Sequence, residues 1–91
     1  MKIEFDQKKS AKNVIDRGLG FSLVDGFKFE DAITHEDARK AYSEPRYVSI
    51  GYIGERLHVT CYCLIEGGIR VISLRKANTR EVKGYEKAVN E

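Results

Sequence analysis

The second half of the chain alternates between hydrophobic and polar positions in a way that favours β-strands. Three segments there are rich in β-branched and aromatic residues, namely 46–53, 57–65 and 69–75. Two glycine-containing pairs, Gly54-Glu55 and Gly67-Gly68, separate these segments. A glycine at the first central position suits a two-residue type II′ turn. The pattern therefore predicts an antiparallel meander of three strands.

Two-residue turns also determine which side chains share a face of that sheet, because directly opposed residues point the same way. One predicted face is apolar and is expected to be the core that the helices cover; it comprises Val48, Ile50, Tyr52, Leu57, Val59, Cys61, Cys63, Ile65, Ile72 and Leu74. The other is polar, aromatic and cationic; it comprises Tyr47, Ser49, Gly51, His58, Thr60, Tyr62, Ser73 and Arg75, with open space expected at Gly51. Polar faces of antiparallel sheets are often simply solvated, but these side chain types favour a binding face. A one-residue bulge in either hairpin would overturn the assignment.

The first half of the chain predicts helices. Segment 2–5 alternates like a short strand, and Asp6 is a suitable N-cap for a helix that Gly18 ends. Within that helix Ala11, Val14 and Ile15 follow helical spacing and are expected to face inward. Ser22 is placed to cap a second, shorter helix over 23–32. Residues 34–46 are polar and predict a connection, with a short strand as an option at its start.

The end of the chain predicts a helix that begins in a concentration of positive charge. Asn78 is a good N-cap, and Glu81 stands at the capping-box position three residues later. If this helix starts where the last strand ends, then Arg75, Lys76, Arg80 and the positive end of the helix dipole form an anion site. Capping alone is the simpler interpretation for Glu81. For Tyr85, helix-to-sheet packing and a functional role are both open.

Composition narrows the class of protein. The 91 residues predict one domain spanning 1–91. The formal net charge is only +2, but six cations lie within 70–87, and such a local patch attracts phosphates. No apolar run approaches the ~18 residues of a membrane span, and the charged start lacks a signal-peptide core. A cytoplasmic protein is therefore expected. The Cys61 and Cys63 pair lacks further zinc ligands, and no carboxylate cluster predicts a metal or cofactor.

The residues around the last strand resemble those of the BrnT family, the toxin half of a bacterial type II toxin–antitoxin pair. The family pattern is Ile-Ser-x-Arg-Lys/Arg-Ala, a capping residue, then Glu and Tyr; it is matched by Ile72, Ser73, Arg75, Lys76, Ala77, Asn78, Glu81 and Tyr85. The segments "FDQKKSAKNVIDRG" and "DARKAYSEPRYVSIG" also resemble the family, so the resemblance covers nearly the whole chain. Arg17 stands where the family often has His.

The resemblance implies an α+β protein with a small RelE-like ribonuclease fold: an antiparallel β-meander with N-terminal helices on one face and a C-terminal helix. It also implies an RNA-cleaving toxin that inhibits translation. The implied partner is a BrnA-type antitoxin with a ribbon-helix-helix DNA-binding part. This antitoxin would neutralise the toxin in a hetero-oligomer and repress the shared operon.

RNA cleavage without a metal needs groups that accept and donate protons, and cations that hold the developing charge. The predicted catalytic residues are Arg75, Arg46, His58, Tyr85 and Arg80. Arg75 is the expected phosphate ligand, because its guanidinium offers a bidentate fork. His58 is the natural acid/base, although it is not part of the family pattern. The predicted RNA-binding residues are Lys76, Arg70, Tyr62 and Tyr47.

A different class of function uses the same face. The chain is alternatively a non-catalytic module that binds RNA or a protein through the cationic side of the sheet. A DNA-binding regulator is less favoured, because the sequence has no helix-turn-helix pattern and no RNA-recognition aromatic motif. Binding alone predicts that Arg75→Ala weakens RNA affinity, whereas catalysis predicts lost cleavage with little lost affinity.

Overall fold

A computed structural model describes residues 1–39 and 41–91 and shows an α+β arrangement with a five-stranded mixed sheet. In chain order the elements are β1 (Lys2–Glu4), α1 (Gln7–Arg17), two 3₁₀ turns (Phe21–Gly26 and Phe29–Asp31), β2 (Ile33–Glu36), β3 (Tyr47–Ile53), β4 (Arg56–Ile65), β5 (Gly68–Lys76) and α2 (Thr79–Val89). The spatial order of the strands is β1-β5-β4-β3-β2. Because β1 runs parallel to β5, the sheet is mixed rather than a pure antiparallel meander. No described helix is long and apolar enough to span a membrane.

Helix α1 has the predicted ends but not the predicted buried stripe. The Asp6 carboxylate accepts hydrogen bonds from the backbone N–H groups of the first turn, and Gly18 ends the helix with φ +72°. However, the side chains expected to face inward are exposed, with Val14 at 51% and Ile15 at 84%. Ala11, which was also expected to face inward, is exposed as well. All three are exposed because α1 turns a polar stripe toward the rest of the protein.

That polar stripe holds α1 through hydrogen bonds. Ser10 is buried and its Oγ accepts from the backbone N–H of Phe21 at 2.9 Å. Asn13 donates through Nδ2 to the carbonyl oxygens of Leu19 and Leu74, at 2.8 and 2.9 Å. The helix is therefore attached by specific hydrogen bonds to the backbone, one of which reaches β5 of the sheet.

The predicted second helix over 23–32 is two short 3₁₀ turns instead. Phe21, Val24 and Phe27 are all buried, at 2%, 1% and 6% exposure. A spacing of three matches the 3₁₀ repeat, in which side chains at i and i+3 eclipse. The first turn begins after Gly20 without a side-chain cap, so Ser22 does not cap it.

The first hairpin has the predicted register. Val48 lies opposite Cys61, Ile50 opposite Val59, and Tyr52 opposite Leu57. Gly54 takes φ +61° at the first central position of the turn, as a type II′ turn requires. The optional strand in 34–46 is also present, because β2 pairs antiparallel with β3.

The predicted register of the second hairpin is wrong. Its turn is Glu66-Gly67 rather than Gly67-Gly68, so Ile65 lies opposite Gly68. Gly68 is the first residue of β5. Glycine is needed there because β1 passes so close that a Cβ at this position would overlap the Lys2 carbonyl. A bulge then shifts the pairing between Cys61 and Tyr62.

The bulge moves the end of β5 to the other face of the sheet. Leu74 lies opposite Thr60, and Arg75 lies opposite Val59. We call the side that carries Ser49, Gly51, His58, Thr60, Tyr62 and Leu74 the Tyr62 face. We call the side that carries Val48, Val59, Cys61, Ser73 and Arg75 the Arg75 face.

The Tyr62 face is the main core, which corrects its assignment as an open binding face. Ser49, Thr60 and Leu74 are 0% exposed. The buried residues packed there come from the N-terminal segment and the sheet; they are Leu19, Phe21, Val24, Phe27, Tyr62, Ile69, Val71 and Leu74. Gly51 does not leave open space, because a Cβ there would come within 3.1 Å of the Phe27 ring and Ala32.

The Arg75 face is only partly covered. Leu57, Val59, Ala77 and Tyr85 form a second, smaller buried cluster, to which Val82 of α2 also packs. Helix α2 therefore shields only part of the predicted apolar core face, and the uncovered part forms a cavity beside α2.

Candidate functional site

The floor of the cavity is a row of side chains that crosses four strands. Antiparallel pairing places His35 beside Val48, Val48 beside Cys61, and Cys61 beside Ser73. Arg75 projects from the neighbouring row, through its pairing with Val59. The cavity has a volume of about 590 Å³, which lies within the usual range for ligand sites.

On one wall, Arg75 is held by Glu81 of α2. The two side chains make a two-pronged ion pair, with Nη1–Oε1 at 2.7 Å and Nη2–Oε2 at 2.8 Å. This hydrogen bonding to Arg75 lowers the pKa of Glu81 to about 2 and raises the pKa of Arg75. Glu81 also completes the predicted capping box, accepting from the Asn78 N–H at 2.9 Å. The start of α2 thus fixes the plane of the guanidinium.

Arg75 keeps hydrogen-bonding capacity in this arrangement. A guanidinium has five N–H donors, and among the described residues three are used: two toward Glu81 and one toward the Lys76 carbonyl at 3.4 Å. The side chain is 37% exposed. Two donors, one on Nε and one on Nη2, therefore remain for an acceptor in the cavity.

The opposite wall carries a second arginine–carboxylate pair. Arg39 donates to Asp37 through Nε and Nη2, both at 2.8 Å, and the Tyr42 hydroxyl donates to the same carboxylate at 3.2 Å. The Asp37 side chain is 3% exposed and Arg39 is 81% exposed. The hydrogen bonds from Arg39 hold the pKa of Asp37 far below its usual value. Asp37 thereby anchors a guanidinium that is open to solvent.

Sequence reasoning missed both His35 and Arg39. Both lie within 34–46, the segment interpreted as a polar connection, and the pairing of β2 with β3 brings them to the cavity that Arg75 also lines. The sequence did contain a signal for this wall. Ile33 and His35 alternate as on one face of a strand, and an Asp-x-Arg pattern, Asp37 to Arg39, follows that strand.

Two predicted catalytic arginines lie around the margin of this face. Arg46 precedes β3 and stacks over the Tyr42 ring, with 4.0 Å between its guanidinium carbon and the ring centroid. Its charge opposes the rise in the pKa of Cys61, which burial and Asp37 cause. Arg80 is exposed in the first turn of α2, next to Glu81.

Four predicted site residues lie on the Tyr62 face, away from Arg75. Two are buried: His58 at 5% exposure and Tyr62 at 6%. His58 Nδ1 lies 2.8 Å from the Arg56 carbonyl oxygen, and burial lowers the pKa of His58. Tyr47 packs against the core, and Lys76 lies opposite His58. The prediction that the histidine and the two tyrosines share a face with Arg75 is wrong because of the bulge. The function proposed below uses none of these four residues.

Tyr85 and Arg70 are engaged elsewhere. The Tyr85 hydroxyl donates to the Asp31 carbonyl at 2.8 Å, and its ring packs edge-on against Tyr52. Burial raises the pKa of Tyr85. Arg70 forms ion pairs with Glu4 at 2.9 Å and with Glu44 at 3.6 Å. These contacts fasten α2 and β1 to the sheet.

The cavity contains a thiol but no cluster suited to a metal. Cys61 and Cys63 are free. Within residues 1–39 and 41–91, no three His, Cys, Asp or Glu side chains converge in a way that would hold a metal ion.

Comparison with known proteins gives one finding. A protein-family model described as "Ribonuclease toxin, BrnT, of type II toxin-antitoxin system" matches residues 5–81. The matched segment contains both walls of the cavity, and it ends at Glu81. Neither the curated proteins nor the solved structures contain a match to the chain.

Proposed function

Since the chain belongs to the BrnT family of ribonuclease toxins of type II toxin–antitoxin systems, we propose that it cleaves RNA in the cavity on the Arg75 face. The observation that carries this proposal is Arg75 itself. Its guanidinium is held in one orientation by Glu81, and two of its N–H donors remain for a phosphate. Guanidinium groups bind phosphate oxygens with defined geometry, and a single well-placed donor contributes strongly when charge develops on oxygen.

In the proposed reaction the ribose 2′-hydroxyl attacks the adjacent phosphorus. The O2′–P bond forms, the P–O5′ bond breaks, and negative charge grows on the non-bridging oxygens in between. Arg75 stabilises that charge, and no metal is needed. Arg46 and Arg80 at the margin, together with Arg39 on the opposite wall, hold neighbouring phosphates.

Binding in this cavity depends on directed donors rather than on net positive charge. Its arginines, Arg39 and Arg75, are paired with the carboxylates of Asp37 and Glu81. The carboxylates keep each guanidinium in place and cancel its long-range field. We therefore expect a shallower salt dependence of RNA affinity than an unpaired cationic groove of the same size would give.

The biological setting belongs to the same proposal. A BrnA-type antitoxin with a ribbon-helix-helix DNA-binding part neutralises the toxin in a hetero-oligomer, and loss of RNA inhibits translation. These events place the chain in the cytoplasm, where its RNA substrates are.

Inducible expression in bacteria tests this function. The wild type is expected to arrest growth and to degrade RNA on a gel of total RNA. Arg75→Ala is expected to do neither, although circular dichroism shows it folded. Lys83→Ala, which removes an exposed cation from α2, serves as the matched control and is expected to behave like the wild type. Normal growth with intact RNA in the wild type would contradict the proposal.

One observation favours the alternative of a non-catalytic RNA-binding module. The histidine predicted as the acid/base, His58, is buried on the other face. A binding module predicts that Arg75→Ala weakens RNA affinity, and that no cleavage product is formed by the wild type. A ribonuclease instead needs another group in the cavity that moves a proton.

A further inference from the structure

We propose that His35 is the catalytic acid/base of this cavity, opposite Arg75. This inference rests on the proposed function, because it assumes that the cavity cleaves RNA. His35 would be the group that transfers protons while Arg75 holds the phosphate. His35 is exposed at the cavity and, among the described residues, makes no side-chain hydrogen bond or ion pair.

Strand register places His35 on the correct face. His35 pairs with Val48, which pairs with Cys61, which pairs with Ser73. Directly opposed residues point to the same side, so all four side chains share the Arg75 face. Glu36 pairs with Tyr47 and alternates to the other side of β2.

The width of the row suits a phosphodiester. Three strand spacings separate His35 from Ser73, and at ~4.8 Å each this is about 14 Å between Cα atoms. The floor between them consists of Val48 and Cys61, which are short side chains. His35 and Arg75 thus line the same cavity from its two sides, and we infer that a phosphate and its ribose occupy the space between them.

The other titratable groups of the cavity are poorly suited to moving a proton near neutral pH. Glu81 and Asp37 are each bound to an arginine, which lowers the pKa of both carboxyl groups. Burial and the charge of Asp37 raise the pKa of the Cys61 thiol. An imidazole is the side chain that both accepts and donates a proton in this range.

The neutral imidazole of His35 takes the proton of the 2′-hydroxyl as the O2′–P bond forms. The P–O5′ bond breaks, and the imidazolium passes its proton through a water molecule to the 5′-oxygen. The products are a 2′,3′-cyclic phosphate and a 5′-hydroxyl, and the imidazole returns to its starting state.

Steady-state cleavage of a mixed-sequence oligoribonucleotide, labelled with a fluorophore and a quencher, tests this role. In His35→Ala, kcat is expected to fall about 100-fold or more, because general acid–base catalysis contributes about 10² to 10⁴. KM is expected to change less than about threefold, and the melting temperature to stay the same. Added imidazole is expected to restore part of kcat in His35→Ala but none in Arg75→Ala.

The two proposals fail in distinguishable ways. Cleavage by the wild type but not by Arg75→Ala, with His35→Ala at the wild-type kcat, overturns the role of His35 and leaves the ribonuclease site. A loss in His35→Ala that imidazole does not restore overturns it as well. If neither the purified wild-type chain nor the chain expressed in bacteria cleaves RNA, the proposed function is overturned, and the role of His35 with it.

Discussion

The burial of the two faces of the sheet is the reverse of what their residue types suggest. The Tyr62 face carries Ser49, His58 and Thr60, yet it is closed and contains the main core. The Arg75 face carries Val48, Val59 and Cys61, yet a cavity opens on it. The difference lies in the covering segments: the N-terminal half packs on the first face, and α2 covers only part of the second.

The comparison shows that polar residues become buried where their hydrogen bonds are provided. Thr60 donates to the Ser73 carbonyl at 2.9 Å, and the Ser49 hydroxyl lies 2.7 Å from both Tyr62 Oη and Thr34 Oγ1. Buried polar groups with partners cost little, whereas the same groups without partners cost much. Among the described residues, no buried side-chain polar atom lacks a partner.

The largest expected effect is on the core of the Tyr62 face. Leu74 is 0% exposed, so Leu74→Ala is expected to lower the free energy of unfolding by about 3 kcal/mol. Val59→Ala, on the floor of the cavity, is expected to cost about 1.5 kcal/mol, because less apolar volume is lost next to space that is already open. Urea denaturation measures both. An equal or greater loss in Val59→Ala would break the comparison between the faces.

Gly68, which was predicted to lie in the turn of the second hairpin but belongs to β5, provides the next test. Gly68→Ala is expected to destabilise by about 1–3 kcal/mol, because its Cβ overlaps the backbone of β1. Gly84→Ala is the matched control in α2, where a Cβ meets nothing within 4 Å. That control is expected to be stabilising by up to about 1 kcal/mol. Thermal unfolding of both variants checks the sign; a neutral Gly68→Ala would argue that β1 does not pair as described.

The Arg75–Glu81 pair predicts a pH dependence. The pKa of Glu81 is lowered in the folded state from 4.5 to about 2. Its contribution is therefore fully present above about pH 4.5 and is lost as the pH falls toward 2. Because Arg75 is 37% exposed, solvent screening reduces the expected contribution to about 1–2 kcal/mol.

Glu81→Gln measures this contribution. Gln retains the capping-box acceptor, so the variant removes the charge and spares the start of the helix. Urea denaturation is expected to show the wild type more stable than the variant at pH 7, with roughly a quarter of that difference left at pH 2.5. A difference that is the same at both pH values would mean that Glu81 does not pair with Arg75.

The smallest effect separates a core tyrosine from an RNA-binding tyrosine. Tyr62→Phe removes the hydroxyl that contacts Ser49 and is expected to cost about 1 kcal/mol of stability. Cleavage of the labelled oligoribonucleotide by the variant is expected to match the wild type. Lost cleavage by a folded Tyr62→Phe would return function to the Tyr62 face.

Local chemistry made part of the fold predictable. Asp6 and Gly18 set the ends of α1, Gly54 set the first hairpin, and Asn78 with Glu81 set the start of α2. Each of these signals acts within a few residues. The second hairpin was not predictable in this way, because Gly68 is explained by β1, which is distant in sequence.

The same distinction holds for the candidate site. Proximity of Arg75 to the start of α2 was predictable, because Ala77 and Asn78 alone separate the strand from the helix. The opposite wall was not, because His35 and Arg39 reach it through pairing of β2 with β3 across a ten-residue connection, 37–46. The prediction that Arg75 and His58 share a face was wrong because of the bulge, and no residue type in β5 indicates a bulge there.

Cleavage kinetics of Arg75→Ala and Lys76→Ala test the central claim most directly, because these neighbours project to opposite faces of the sheet. The labelled oligoribonucleotide is the substrate, and circular dichroism confirms that both variants fold. Arg75→Ala is expected to lose about 100-fold or more in kcat/KM, while Lys76→Ala is expected to stay within about threefold of the wild type. Equal losses in the two variants, or a larger loss in Lys76→Ala, would contradict the central claim.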